Sequence, residues 1–457
     1  MVELKDFDYL AEIADIIIKE SKGGGAEQSE VIVNSGENIA SRFGENHITQ
    51  NTLRRTLTFS LRSQIGQKVG IYQGTMSSRD ALKGMVQNAI DLVKFSPPDP
   101  EFPGFLDTQP TYKSSGKKIV EADADQISDV IGTIVNTAQE IDSKVTSVAG
   151  NVNYIASKSF FKNSYDVHGK YENSRFTGII TTAAVVGENE SRAGCSLAGA
   201  TVKELDHENY AKEVAGRSVR GLNQGDLEPG KYNAILSHDA IMELMFHFGL
   251  ASSSTMLINY QSPFKDKLGE KLFDERFTIT DATEDPTHIA SQPFDSEGVP
   301  SPEITYIDQG IVKDFAYDRR NAKKLGVETN GRGAGGFAIF RAPTIKAGDR
   351  SVESIIKGID DGVLVSSLWY ANFVNMPESS VTGLTRDGLF RIKNGEIVGS
   401  LKNMRFTDTL FSMFKNMEPA NDQKQKIHTT YGNLFGLGGK VPSIFLEQFN
   451  FSSQSKH

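Results

Sequence analysis

The chain has a single cysteine, Cys195, in 457 residues. That excludes an internal disulfide and any metal site built from several thiolates, and it suits a reducing compartment. No run of about 18 apolar residues occurs, so no membrane span is expected. Lysine and arginine are not gathered into a run either. A surface that tracks a phosphate backbone needs such a run, so electrostatics gives no case for direct nucleic-acid binding. The formal net charge of −9 is spread along the chain. The opening residues, MVELKDFDYL, place acids where a secretory signal would place bases and an apolar block. The expected setting is cytoplasmic.

Glycine is abundant at 42 residues, which favours turns and strands over a helical bundle. A hydrophobic content of 38% and a charged content of 23% are ordinary for a soluble globular protein. The length allows two or three domains with a large core.

Along the chain, Leu10 to Lys19 forms a first amphipathic helix, ended by SKGGG at Ser21 to Gly25. The segments VIVN, ENIASRFGENHITQN and LRRTLTFSLRSQIGQKVGIYQG follow. Thr56, Thr58 and Ser60 alternate with Leu57, Phe59 and Leu61, the period of a strand with one covered face. A meander of three or four antiparallel strands is expected. Ser78 to Phe95 reads as a helix capped by Ser78, with Leu82, Val86, Ile90 and Val93 in its stripe. SPPDPEFPG, at Ser96 to Gly104, cannot be regular structure. A second strong helix lies within Ala122 to Ser143. Strands return from Thr146 to Val202, where His168 reads as exposed, and Glu208 to Asn223 is a further helix.

The expected fold class is therefore α+β with two domains. Residues 1–225 form an N-terminal antiparallel sheet with helices, and residues 226–457 form a mostly β C-terminal domain. The boundary falls near LNQGDLEPGKY, rich in Gly and polar residues.

The stretch YNAILSHDAIMELMFHFGLASSS, Tyr232 to Ser254, organises the second half. A short strand to Leu236 leads through a turn into a helix from about Asp239. Ile241, Leu244, Met245 and Phe248 recur at the spacing of a buried stripe. His238, Glu243 and His247 suggest zinc, but His238 and His247 lie about 180° apart on a helix of 3.6 residues per turn. Glu243 and His247 share a face, and that pair alone leaves a tetrahedral ion short of ligands. A packed helix carrying one polar pair is the simpler role. His207-Glu208 has no further histidine one turn on, and Cys195, within AGCSLAGA, reads as a small buried thiol.

NGRGAGGFAIF contains a literal G-x-G-x-x-G at Gly331, Gly333 and Gly336. A dinucleotide fingerprint follows a strand and opens a helix. Here FAIF reads as a strand followed by Ala342-Pro343, so a flexible loop is expected. Hairpins are expected around Asp308-Gln309-Gly310 and, with a two-residue turn, at Asn394-Gly395.

Several stretches, in order, resemble the TldD/TldE (PmbA) family. They are SRFGENHITQN, with an Arg-Phe…Asn…Ile-x-Gln pattern; LSHDAIMELMFHFGL, followed by QSPFKDKLGEKLFDERFTITDATEDP; FDSEG with the next hairpin; and TGLTRDGLFRIKNGEI with the basic NMRFT beyond it. The resemblance implies a cytoplasmic peptidase system in which TldD-like and TldE-like chains associate and the zinc-bearing chain cuts unfolded peptides. In the TldD branch the helix carries HExxxH, and a Cys near the final strand completes the site. Aligned on that motif, the first His and the Glu fall at Phe246 and His247, and the second His near Ala251. This sequence holds no HExxxH and no Cys near its end. The resemblance therefore points to the TldE-like branch, with no zinc in this chain and zinc expected in a TldD-like partner.

Expected partners are a TldD-like chain or a second copy of this one, and unfolded peptide. Arg42 and Asn46, in the first motif, and Arg386 and Arg405, in the last, are the candidate substrate contacts. A guanidinium can hold a peptide carbonyl or carboxylate. Turn chemistry for the first pair and sheet-edge ion pairing for the second are the competing roles. Two other function classes stay open: an independent hydrolase built on Glu243 and His247 or on Cys195, and a non-enzymatic modulator or binding protein.

Overall fold

The computed structural model describes residues 4–113, 118–430 and 438–454. Its N-terminal half is one antiparallel sheet of long strands: β1 (Gln28–Gly44), β2 (His47–Ile65), β3 (Lys68–Thr75), β4 (Val145–Asn163), β5 (His168–Val186) and β6 (Asn189–Gly199). The strand order is β3-β2-β1-β4-β5-β6. The two segments VIVN and ENIASRF fuse into the single strand β1, so the meander has three strands. Its first turn uses Glu45 and Asn46 at φ of 50° and 69°, a conformation that asparagine tolerates.

Helices cover the sheet. In α1 (Phe7–Gly23), Asp6 caps the first turn and Leu10, Ile13, Ala14 and Ile17 are buried. In α2 (Arg79–Phe95), Ser78 caps as the sequence indicates. Both pack on Val31, Val33, Phe59 and Leu61. The helix α3 (Ala124–Ile141) starts with a capping box between Asp123 and Gln126. With α4 (His207–Arg220) it covers Val148, Val152, Phe176 and Ile180.

The C-terminal half holds two sheets. The first contains β7 (Gln224–Gly225), β8 (Gly230–Leu236), β13 (Asp361–Asn375), β14 (Ser380–Lys393), β15 (Glu396–Leu401), β16 (Met404–Thr409), β17 (Met417–Pro419) and β20 (Ile444–Gln454). Its path runs β13-β8-β20-β16-β14, and β13 also pairs with β14. Those five strands close into a ring. The second sheet contains β9 (Ile279–Asp281), β10 (Ile304–Asp308), β11 (Ile311–Val312), β12 (Pro343–Ile345), β18 (Lys424–Ile427) and β19 (Gly438–Val441).

The helix α5 (His238–Ala251) sits between these sheets. The sequence suggests one apolar stripe, but the helix is buried nearly all round: Ala240, Met242, Glu243 and His247 are covered as well as Ile241, Leu244, Met245 and Phe248. Phe248 anchors an aromatic cluster with Phe273, Phe277 and Phe414, with ring centroids 5.1–5.8 Å away.

The hairpin turn at Gln309-Gly310 forms, with φ of 49° and 78°. So does the turn at Asn394-Gly395, with φ of 49° and 77°. FAIF, expected as a strand, does not form one; Ala338 makes only an isolated bridge to Gly333. The FAIF backbone is spent within the loop, where the Phe337 carbonyl accepts the Ala334 amide and the Ile339 amide donates to the Arg332 carbonyl; the Asp281 carboxylate takes the Arg341 and Ala342 amides and the fully buried Arg332 guanidinium. The glycine-rich segment is a pinned loop, not a loose one.

Candidate functional site

A cavity of ≈ 680 Å³ lies where the β6 side of the N-terminal sheet meets the C-terminal ring. One wall is β6, from Glu190 to Ser196, lapping onto Ala149 and Thr181 of the neighbouring strands. The opposite wall holds Ser367, Trp369, Arg386, Asp387 and Asn403.

The opposite wall exists because β14 changes neighbours. Its residues Ser380 to Leu384 pair with β16, and Leu389 to Lys393 pair with β15. Between them Asp387 and Gly388 take φ of 61° and 126°. The break turns Arg386 and Asp387 toward the cavity. The Arg386 guanidinium lies 4.2 Å from the centre of the Trp369 ring, a cation–π contact that leaves its N–H groups to face the cavity. Asp387 is largely buried, and burial raises its carboxyl above the usual range while Arg217 acts to lower it.

The floor is set by α5. The first helical turn places Asp239 beside β6, where its Oδ1 accepts from the Ser196 N–H at 3.1 Å. Lys426 Nζ donates to the Ser196 carbonyl at 2.7 Å and lies 3.3 Å from Asp239 Oδ2. The ammonium also lies 3.9 Å from the centre of the Tyr210 ring. Lys426 is 1% exposed and Asp239 8%, so the pair is desolvated. Burial opposes the charge on Lys426, and the Asp239 carboxylate is the main group that keeps the buried ammonium protonated.

One turn deeper on α5, Glu243 Oε1 accepts from Thr430 Oγ1 at 2.6 Å, and its Oε2 lies 3.2 Å from His428 Nε2. Burial pushes the Glu243 carboxyl up to about 7 and the His428 imidazole down to about 3. The contact is therefore between an uncharged ring and a carboxyl, not an ion pair. His247 Nδ1 bonds the Glu243 backbone carbonyl at 3.2 Å, and burial lowers its value to about 4. His238 points elsewhere, with Nε2 2.7 Å from the Asp422 carbonyl.

Of the four candidate contacts, Arg386 alone lines this cavity. Asn46 spends its side chain on β4, donating to the Thr146 carbonyl at 3.0 Å and accepting from the Val148 amide at 2.8 Å. Arg42 is exposed on β1, opposite Gln50 and Asn151. Arg405 is exposed on β16, 3.5 Å from Thr382 Oγ1. His168 is exposed. Cys195 is buried, and burial raises its thiol to about 12. Asp239, Lys426, Trp369 and Asp387 were not legible as site residues. Asp239 reads as a helix-start acid, and KQKI carries no mark of a buried lysine.

The C-terminal half of the chain, residues 229–453, matches the family model described as the PmbA/TldA metallopeptidase C-terminal domain. A Haemophilus influenzae metalloprotease PmbA homolog is 24% identical over 87% of this chain and 87% of its own length. The Escherichia coli O157:H7 metalloprotease PmbA is 23% identical over 87% and 88%. Among solved structures, TldE from Thermococcus kodakarensis superposes with a TM-score of 0.86 at 22% identity, covering 96% of this chain and all of that one. The chain belongs to the TldD/TldE (PmbA) family.

The family implies zinc, so the donors matter. Glu243 and His247 have the spacing of the last five positions of HExxxH, with Met242 where the first His would stand. This places the motif one helical turn earlier than the alignment on Phe246 and His247, and it puts both polar groups in one buried pocket. Met242 packs toward Gly439, Glu243 is held by Thr430, and the sole thiol is Cys195 on β6. The sequence leading to the final strand holds no Cys; residues 431–437 of it lie outside the described residues. These donors do not fit a tetrahedral His and Cys zinc site.

Proposed function

We propose that this chain is the TldE/PmbA-like subunit of a cytoplasmic metallopeptidase system that degrades or processes unfolded peptides. It supplies binding surface and depends for cleavage on a zinc-bearing, TldD-like chain carrying HExxxH. The reading rests on one observation above others. The helix position that the motif reserves for its first imidazole holds Met242, while the cavity beside that helix keeps the means to hold extended chain.

Those means are the β6 strand flank, the Arg386 fork stacked on Trp369 and the hydroxyl of Ser367. An unfolded peptide laid along β6 gains main-chain hydrogen bonds without regard to its sequence. Arg386 offers planar donors to a peptide carbonyl or carboxylate. The hydrolytic step, with polarised carbonyl and activated water, belongs to the partner.

The test is metal analysis of the purified chain, with casein or peptide cleavage assayed with and without a TldD-like chain. Cleavage requiring the mixture supports the reading. Stoichiometric zinc together with cleavage by the chain alone defeats it.

A further inference from the structure

Strand β6 is the last strand of its sheet, hydrogen-bonded on one side to β5. Ser196 shows which of its residues point their backbone groups outward, because both its N–H and its C=O are taken from outside the sheet. Backbone direction alternates along a strand, so Gly194, Arg192 and Glu190 share that outward orientation. All three line the cavity. Among the described residues, no backbone partner beyond β5 is recorded for them.

At Ser196 the pattern is interrupted. Asp239 supplies the acceptor and Lys426 the donor that a neighbouring strand would otherwise supply. The two side chains neutralise each other at 3.3 Å and are almost wholly buried. Displacing them would strand a charge in the interior, which costs far more than a surface ion pair. A peptide cannot recover that from one pair of backbone hydrogen bonds, whose net gain is small because water is given up on both sides.

We propose that Asp239 and Lys426 form a strand stop, and that the β6 site therefore accepts the end of an extended peptide and not the middle of one. This rests on the peptide-binding reading above and adds register and substrate class to it. The added segment pairs with Glu190, Arg192 and Gly194 and terminates before Ser196. Asp239 and Lys426 act as positioning residues. They fix where a bound chain halts without touching its reacting atoms.

The test needs no variant. A Thr- and Val-rich peptide of about ten residues, long enough to span the cavity as a strand, is labelled on a mid-chain side chain. It is prepared with free ends, with a small folded domain fused by a flexible linker at either end, and with domains at both ends. Binding to the full chain is followed by anisotropy. The expected result is that one singly fused form binds like the free peptide, while the doubly fused form binds at least about tenfold more weakly, or 1.4 kcal/mol. Equal binding of the free and doubly fused forms overturns the stop while leaving peptide binding intact. No binding by any form overturns the underlying reading, and the stop with it.

Discussion

Arg62 of β2 reaches across the junction of the two domains to Glu297, with Nη1 and Oε1 2.7 Å apart. The same nitrogen lies 3.1 Å from Glu30 Oε1. Asp295 joins them as a third buried carboxyl, its Oδ1 and Oδ2 accepting the amides of Glu297, Val299 and Gly333. Burial raises both Glu30 and Asp295 to about 7, with Arg62 acting to lower Glu30 and Glu297 to raise Asp295.

These raised values fix the sign of a pH effect. A carboxyl with a higher value in the folded state contributes stability below its unfolded value of about 4, and loses it as pH rises toward about 7. Glu30→Gln removes the charge. Its effect on stability should be more favourable at pH 8 than at pH 5 by roughly 2 kcal/mol. Urea midpoints at the two pH values measure it, and an unchanged difference refutes it.

Arg386→Ala should weaken peptide binding by about tenfold, because a guanidinium–oxygen contact is among the stronger hydrogen bonds. Arg386→Lys should recover only part of that, since a point charge lacks the planar fork. The side chain is exposed, so the urea midpoint should stay where it is. A peptide titration with a parallel unfolding curve separates the two effects.

Phe248→Ala should destabilise the chain by about 3–5 kcal/mol, since a fully buried ring leaves a void among three other rings. Denaturant unfolding is the readout. A loss below about 1 kcal/mol would mean that α5 is not held as described.

Cys195 should resist a thiol reagent such as dithionitrobenzoate in the native protein and react at once in urea. The thiolate is the reactive form, and burial holds the thiol protonated to about 12. Rapid native labelling would contradict its placement. It would also revive a nucleophilic role.

The start of α2 was legible because its chemistry is local: Ser78 caps the helix by accepting the amide three residues on. Asp6 and Asp123 do the same for α1 and α3, whose extents were read only from their apolar stripes. The alternation in β2 and the Asn394-Gly395 turn were equally direct. What stayed hidden depends on distant neighbours. Lys426 meets Ser196 across 230 positions of chain, and no pattern within KQKI anticipates it. FAIF looked like a strand because its composition is right; Asp281, some sixty residues upstream, had already claimed the adjoining amides. Arg42 and Asn46 illustrate the reverse case. Their motif is recognisable, but the bonds of Asn46 to the β4 backbone and the exposure of Arg42 on β1 come from the folded sheet.

The closing of β13 onto β14 has a bearing on how the protein survives among sticky chains. Each of the five strands in that ring has a neighbour on both sides, so the ring offers no bare row of main-chain groups to template runaway fibre growth. Under the proposed reading, loose polypeptide meets the open edge of β6 in the N-terminal sheet and finds no equivalent edge on the ring.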